Sequence, residues 1–213
     1  MCGMEMEMEE IKEIEKDILK EIANIGVARV VDSFAQILDN KIFMESPEFR
    51  IVDRAELDRE ISKNRSRLVI ESVFKGELRG KILFHQTNRM ISKLEETGSA
   101  LIRKFSKYRK MHEPFITHIC FLATKILIEE FGNRLGYQDI VFSITQFVHT
   151  KSSGDWKIYN HLESPGPPFN TIRSKIIDDR LTFSLPLIVI FDHPSLKEIV
   201  VKIRQLEKKI FLK

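Results

Sequence analysis

Two cysteines in 213 residues, Cys2 and Cys120, are too few for a disulfide framework or a thiolate metal cluster, so a reducing compartment is expected. No run of 18 apolar residues occurs, and no segment reads as a transmembrane helix. The acidic start is unlike the positive start of a secretory signal, which makes a cytoplasmic protein the expectation. Catalytic and cofactor motifs are missing as well. The histidines (His85, His112, His118, His149, His161 and His193) have neither H-E-x-x-H spacing nor ligand spacing with the cysteines, so no zinc site is expected. G-x-G-x-x-G, Walker A and G-x-S-x-G are absent, which removes the usual signs of nucleotide binding and of a serine hydrolase. Charge of one sign is also scarce. A net charge of +3 implies neither a nucleic-acid binder nor a membrane-surface protein.

What remains is a chain with 43% hydrophobic and 31% charged residues, the composition of a globular protein with a sizeable core. The most informative segment lies near its start. Leu19, Ile22, Gly26, Val30, Phe34 and Ile37 recur at helical spacing and predict an amphipathic helix from about residue 9 or 15 to Leu38, ending at the turn-favouring Asp39-Asn40 pair. On its other side Asp17, Glu21 and Asn24 fall within about 60° of one another over about 10 Å of axis. Three polar side chains therefore face one way. The same stripe continues through Ala28, Val31 and Ala35, with Lys20 and Asp32 at its edges. Small apolar residues there suit close approach of a partner, although alanine also simply favours helix.

Downstream, Lys41 to Met44 reads as a short strand stopped by Ser46-Pro47, and residues 51 to 64 as a connecting helix. Arg67 to Phe74 and Leu78 to His85 form a hairpin through Lys75-Gly76-Glu77. Thr87 to Lys110 reads as helix broken at Gly98; its end, residues 103 to 110, interleaves bases and aromatics, which suits an amphipathic helix end better than nucleic acid. The second half repeats the order. Phe115 to Phe131 is a helix ending near Gly132, Ile140 to Val148 a strand, and Lys151 to Asn170 a polar excursion containing Trp156. Ile172 to Ile177 and Leu181 to Phe191 make a second hairpin through Asp178-Asp179-Arg180, and a last helix follows Asp192-His193-Pro194-Ser195. Periodicity by itself gives an α+β class. One domain over 1–213 is expected, with a frayed 1–10, a first half of about 11–110 and a second of about 111–213.

The spacing D-x3-E-x2-N-x22-P formed by Asp17, Glu21, Asn24 and Pro47 resembles the signature of the CheC/CheX/FliY family of response-regulator phosphatases. The resemblance implies an antiparallel sheet of two pseudo-symmetric halves with long helices packed against it. It also implies hydrolysis of the phosphoaspartate on a CheY-like receiver domain. In that reading Glu21 pairs with the regulator's lysine, and Asn24 positions the attacking water, a task its neutral amide suits because it both donates and accepts. Asp17, with Lys20, Ala28 and Val31, would meet the partner's surface. No cofactor of its own is implied, since the Mg²⁺ belongs to the regulator. Pro47 lies too far along the chain to face the phosphate and reads as a turn or strand terminator.

Two departures from the family pattern stand out. Val27, Arg29 and Val30 replace small residues after the asparagine, which leaves open a non-catalytic module of the same fold that binds a regulator or another chemotaxis protein. In the second half, Thr117 and Cys120 stand where a second E-x2-N would be. A Glu130-x2-Asn133 occurs further on, with Ile126 in the place of the acidic residue, so one site per chain is expected. A homodimer is an open alternative, and neither nucleic acid nor membrane is an expected partner.

Overall fold

The computed structural model describes residues 11–63, 68–86, 115–143, 146–149, 169–179 and 184–211. Helix α1 (Glu13–Leu38) begins where the Glu15 carboxylate turns back to accept a hydrogen bond from the Lys12 N–H at 2.8 Å. It ends at Asp39, whose φ of 48° breaks the helix in a left-handed turn. Both ends are close to those the pattern predicts. Strand β1 (Ile42–Val52) follows, then α2 (Arg54–Lys63), β2 (Leu68–Gly76) and β3 (Gly80–Gln86). After them come α3 (Phe115–Leu135), β4 (Ile140–Phe142), β5 (Gln146–His149), β6 (Phe169–Asp178), β7 (Ser184–Phe191) and α4 (His193–Phe211).

All seven strands join one antiparallel sheet in the order β1-β6-β7-β3-β2-β4, with β5 also on β2. The order reads the same from both ends. The first half contributes the lone strand β1 and the β2–β3 hairpin, the second the two short strands β4 and β5 and the β6–β7 hairpin; the hairpins meet at β3–β7, and β1, β4 and β5 pair with the other half's hairpin. Exchanging edge strands in this way ties the halves together along the whole sheet. It is the α+β arrangement of two pseudo-symmetric halves that the resemblance implies.

One sheet face carries Ile70, Phe74, Ile82, Phe84, Ile172, Ile176, Leu187 and Val189, packed in a single core with α1, α3 and α4. The other buries Val52, Val69, Leu83, Phe169, Ile188 and Ile190 with Leu57 of α2. Strands buried on both faces explain why β7 is apolar almost throughout. They also explain the fully buried Lys81, whose ammonium meets the equally buried Glu71 at 2.8 Å.

Several boundaries differ from the sequence expectation. Pro47 stops nothing. β1 runs through it to Val52, with a register shift between Glu45 and Glu48 that sets Ser46 and Pro47 against the single Ser174. Proline has no N–H to offer a ladder and is tolerated in such a bulge on an edge strand. α3 passes Gly132 and ends before Gly136, where φ is 72° and the Tyr137 N–H returns to the Gly132 carbonyl at 2.8 Å. The strand expected over 140–148 is two short ones, and the first hairpin turns at Glu77-Leu78-Arg79. α4 starts at His193 because Asp192 caps it, its Oδ1 accepting from the Ser195 N–H at 2.9 Å. The helix expected over 87–110, the basic run 103–110 and Trp156 lie outside the described residues.

Candidate functional site

α1 is gripped along a wide arc. Leu19, Ile22, Ala23, Gly26, Val27, Val30 and Phe34 are all buried, an arc broader than the predicted stripe because α1 packs on α3 as well as on the sheet. Gly26 marks the crossing. A β-carbon built there would stand 2.5 Å from Leu127 Cδ1 and 3.4 Å from the Leu127 carbonyl oxygen, so glycine allows the two helices to approach. The remaining arc faces outward and holds the residues singled out by their spacing.

Asp17 and Glu21 are exposed and Asn24 is half-buried. Neighbouring charges are occupied locally: Lys20 meets Asp17 at 3.1 Å, and Lys16 pairs with Glu13. Glu21 therefore pairs with neither lysine beside it. Glu21 and Asn24 make no hydrogen bond or ion pair with the described residues, and both are open to a visiting group. Further along, Ala28 is half-buried, and Val31 and Ala35 are half-buried against the core. The open part of the stripe thus narrows from Asp17 toward Val31.

The substitutions after Asn24 have separate fates. Val27 and Val30 are fully buried against α3 and the sheet and add nothing to the exposed margin. Arg29 alone reaches the surface, where its guanidinium meets Glu130 Oε2 of α3 at 2.6 Å. Glu130 is itself 2% exposed and also takes Arg134 at 2.7 Å. The second E-x2-N is therefore half consumed: its glutamate clamps α1 to α3 and faces no solvent. The spacing of Glu130 and Arg134, one helical turn apart, signals part of this cluster in the sequence; Arg29, 101 positions away, gives no local sign. Thr117 and Cys120 are buried as well, and burial pushes the Cys120 thiol pKa well up.

Pro47 is buried in the β1 bulge. Met44 and Phe49 pack against the same core although they stand an odd five positions apart, because the bulge's extra residue resets the alternation. The strand that holds Pro47 packs against α1, the helix that carries Glu21 and Asn24. The start of that helix is anchored by Glu15, fully buried, whose carboxylate takes the Arg204 Nε of α4. Burial would raise the Glu15 pKa, but the hydrogen bonds from Arg204 and the Lys12 N–H outweigh it and hold the carboxyl below its ordinary range. Among the described residues no group of His, Cys, Asp and Glu could hold a metal ion, and no helix is long and apolar enough to cross a membrane.

Residues 14–51 match the model of the CheC-like family. No curated protein matches the chain by sequence. Among solved structures, FliY of Thermotoga maritima superposes with a TM-score of 0.63 at 14% identity, over 91% of this chain and 98% of that one. The FliM middle domain of H. pylori gives 0.57 at 10% identity, over 90% and 99%. A chain of the FliG–FliM complex of H. pylori gives 0.58 at 9% identity, over 90% and 100%. The chain carries the CheC-like fold, and its match to the CheC-like family falls on α1 and β1, the segment that holds Asp17, Glu21, Asn24 and Pro47.

Proposed function

We propose that this protein hydrolyses the phosphoaspartate of a response-regulator receiver domain. One observation carries the reading: Glu21 and Asn24 stand one turn apart on the outward arc of α1 with no hydrogen bond or ion pair to the described residues, while the lysines beside them are paired. The regulator contributes the acyl phosphate and the lysine that holds its oxygens. Its Mg²⁺ offsets the phosphoryl charge, and no metal site on this chain is required. Glu21 pairs with the regulator's lysine and fixes the depth of docking. Asn24 then holds a water in line with the phosphorus–oxygen bond; being neutral, it adds no repulsion next to the phosphoryl group. Asp17, Lys20, Ala28 and Val31 border the contact. A receiver-domain substrate places the protein in the cytoplasm, in chemotaxis or a related two-component pathway.

The burial of Val27 and Val30 supports insertion, since neither lengthens the helix margin toward the partner. The second reading, a binding module without catalysis, is favoured by the fold shared with FliM, one of whose structures is a complex with FliG. Decay of phosphorylated receiver domains from the same genome, measured with and without the protein, separates the two. Acceleration of at least one receiver by about tenfold or more supports hydrolysis, and unchanged or slowed decay throughout supports the module.

A further inference from the structure

On the sheet face turned away from α1, strands β1, β6, β7 and β3 surround a cavity of about 490 Å³. The strands create it. The β3–β7 ladder stops at Phe84–Leu187, because Pro186 has no N–H to continue it, and the β1 bulge interrupts pairing with β6 at the same level. One step past that last pair, His85 stands across from Pro186, in a row continued by Lys175 and Glu45. The next row is Leu83, Ile188, Arg173 and Glu48. Ile82, Phe84, Ile172 and Ile176, alternating with these residues, fill the core under α1, so His85, Arg173 and Lys175 point the opposite way.

His85 is 3% exposed, lines the cavity, and has no hydrogen-bond partner at either ring nitrogen. Buried polar atoms are ordinarily satisfied, and a buried imidazole unsatisfied at both nitrogens in the wall of a cavity points to a partner received from that cavity. The described lining carries Arg50, Arg173 and Lys175 against Glu45 and Glu48. At its mouth Lys175 holds Glu45 and Arg50 holds Glu48, each at 2.9 Å. Pro186 and Ile188 add an apolar wall, and the volume falls within the usual range for small-molecule sites.

We propose that this cavity binds a small organic carboxylate, with its carboxylate between the Arg173 guanidinium and the His85 ring N–H and its carbon chain against Pro186 and Ile188. Burial and the nearby Arg173 charge hold the His85 pKa down to about 4, so at neutral pH the ring presents one N–H donor. Glu45 and Glu48 repel an incoming anion in proportion to its charge, which favours a carboxylate over a phosphate dianion. An apolar wall likewise serves a ligand with a carbon body.

The test is a titration of the full chain with butyrate, a monocarboxylate with a short carbon chain, against sodium chloride at matched ionic strength. Side-chain ¹⁵N signals of His85, assigned by their loss in His85→Gln, provide the readout. A saturable shift with half-saturation on the order of 1 mM or below is expected. Arg173→Gln should abolish saturation, and Lys175→Gln, a substitution at the mouth that spares the core, should raise the half-saturation several-fold. Absence of a saturable shift, an equal response to chloride, or unchanged half-saturation in folded Arg173→Gln or Lys175→Gln overturns the proposal. Tighter saturation by inorganic phosphate than by butyrate overturns the ligand class.

Discussion

Asn24 and its neighbours divide between surface and core in a way that one residue's position on the helix decides. Glu21 and Asn24 were legible in the sequence because helical periodicity is local: knowing that the segment is a helix is enough to place them on one side. The burial of Val27 was not legible, since it depends on α3 crossing at Gly26 from 101 residues further along. Replacing Glu21 by Lys sets like charges together in the proposed contact and should weaken binding to the phosphorylated regulator by about tenfold or more, measured by titration. Glu130, in contrast, is expected to matter only for folding. Glu130→Ala removes a buried carboxylate between two half-exposed guanidiniums that water can resolvate, so a loss of about 1 kcal/mol in urea denaturation is predicted, with full activity in the folded variant. A loss of activity there would show a second site. His85 sets a pH dependence of its own. Burial and the Arg173 charge depress its folded pKa to about 4, below the ordinary 6.5 at which the unfolded ring takes a proton. Its contribution is therefore complete above pH 6.5 and is lost as the pH falls toward about 4, by about 3 kcal/mol in all. Urea midpoints measured across that interval should fall with pH in the wild type and fall less in His85→Gln.

At the scale of elements, α1 is held at its start by Glu15 and Arg204, at its middle by Gly26 against α3, and by β1 beneath it. The end of the helix was readable from the Asp39-Asn40 pair and its start only to about residue 9 or 15, whereas the extent of β1 was not, because a proline in sequence looks like a stop until the bulge that accommodates it is known. Gly26→Val would press two methyl groups into the helix crossing. It should cost about 1–3 kcal/mol, seen as a lower denaturation midpoint, and should reduce activity only in proportion to the unfolded fraction. Normal stability in this variant would mean that α1 and α3 are not in close contact there. The Glu15 carboxyl, held below its ordinary value of 4.5, adds stability above that pH and loses it as acid protonates the native form. The acid loss should be smaller in Arg204→Gln, which already lacks the pair.

Across the whole molecule, the two-half repetition of helix, strand and hairpin could be read along the chain, but the crossing over of the lone strands could not. Which hairpin β1 joins is a long-range choice, and the residues of β1 would fit either edge by alternation alone. That choice places β1 and its bulge under α1, and α1 with its outward arc beside α3. The second half repeats the architecture without the site, because Thr117, Cys120 and Glu130 are all turned into packing. Among the described helices, α1 alone presents a glutamate and an asparagine together on its outward side in the expected spacing. The most direct test of the account compares wild type with Asn24→Ala in the decay of a phosphorylated receiver domain in the presence of Mg²⁺, with binding to the phosphorylated receiver titrated in parallel. The account predicts that Asn24→Ala abolishes the acceleration and leaves binding within a few-fold, because the side chain acts chiefly in the transition state. Full acceleration by folded Asn24→Ala would contradict it.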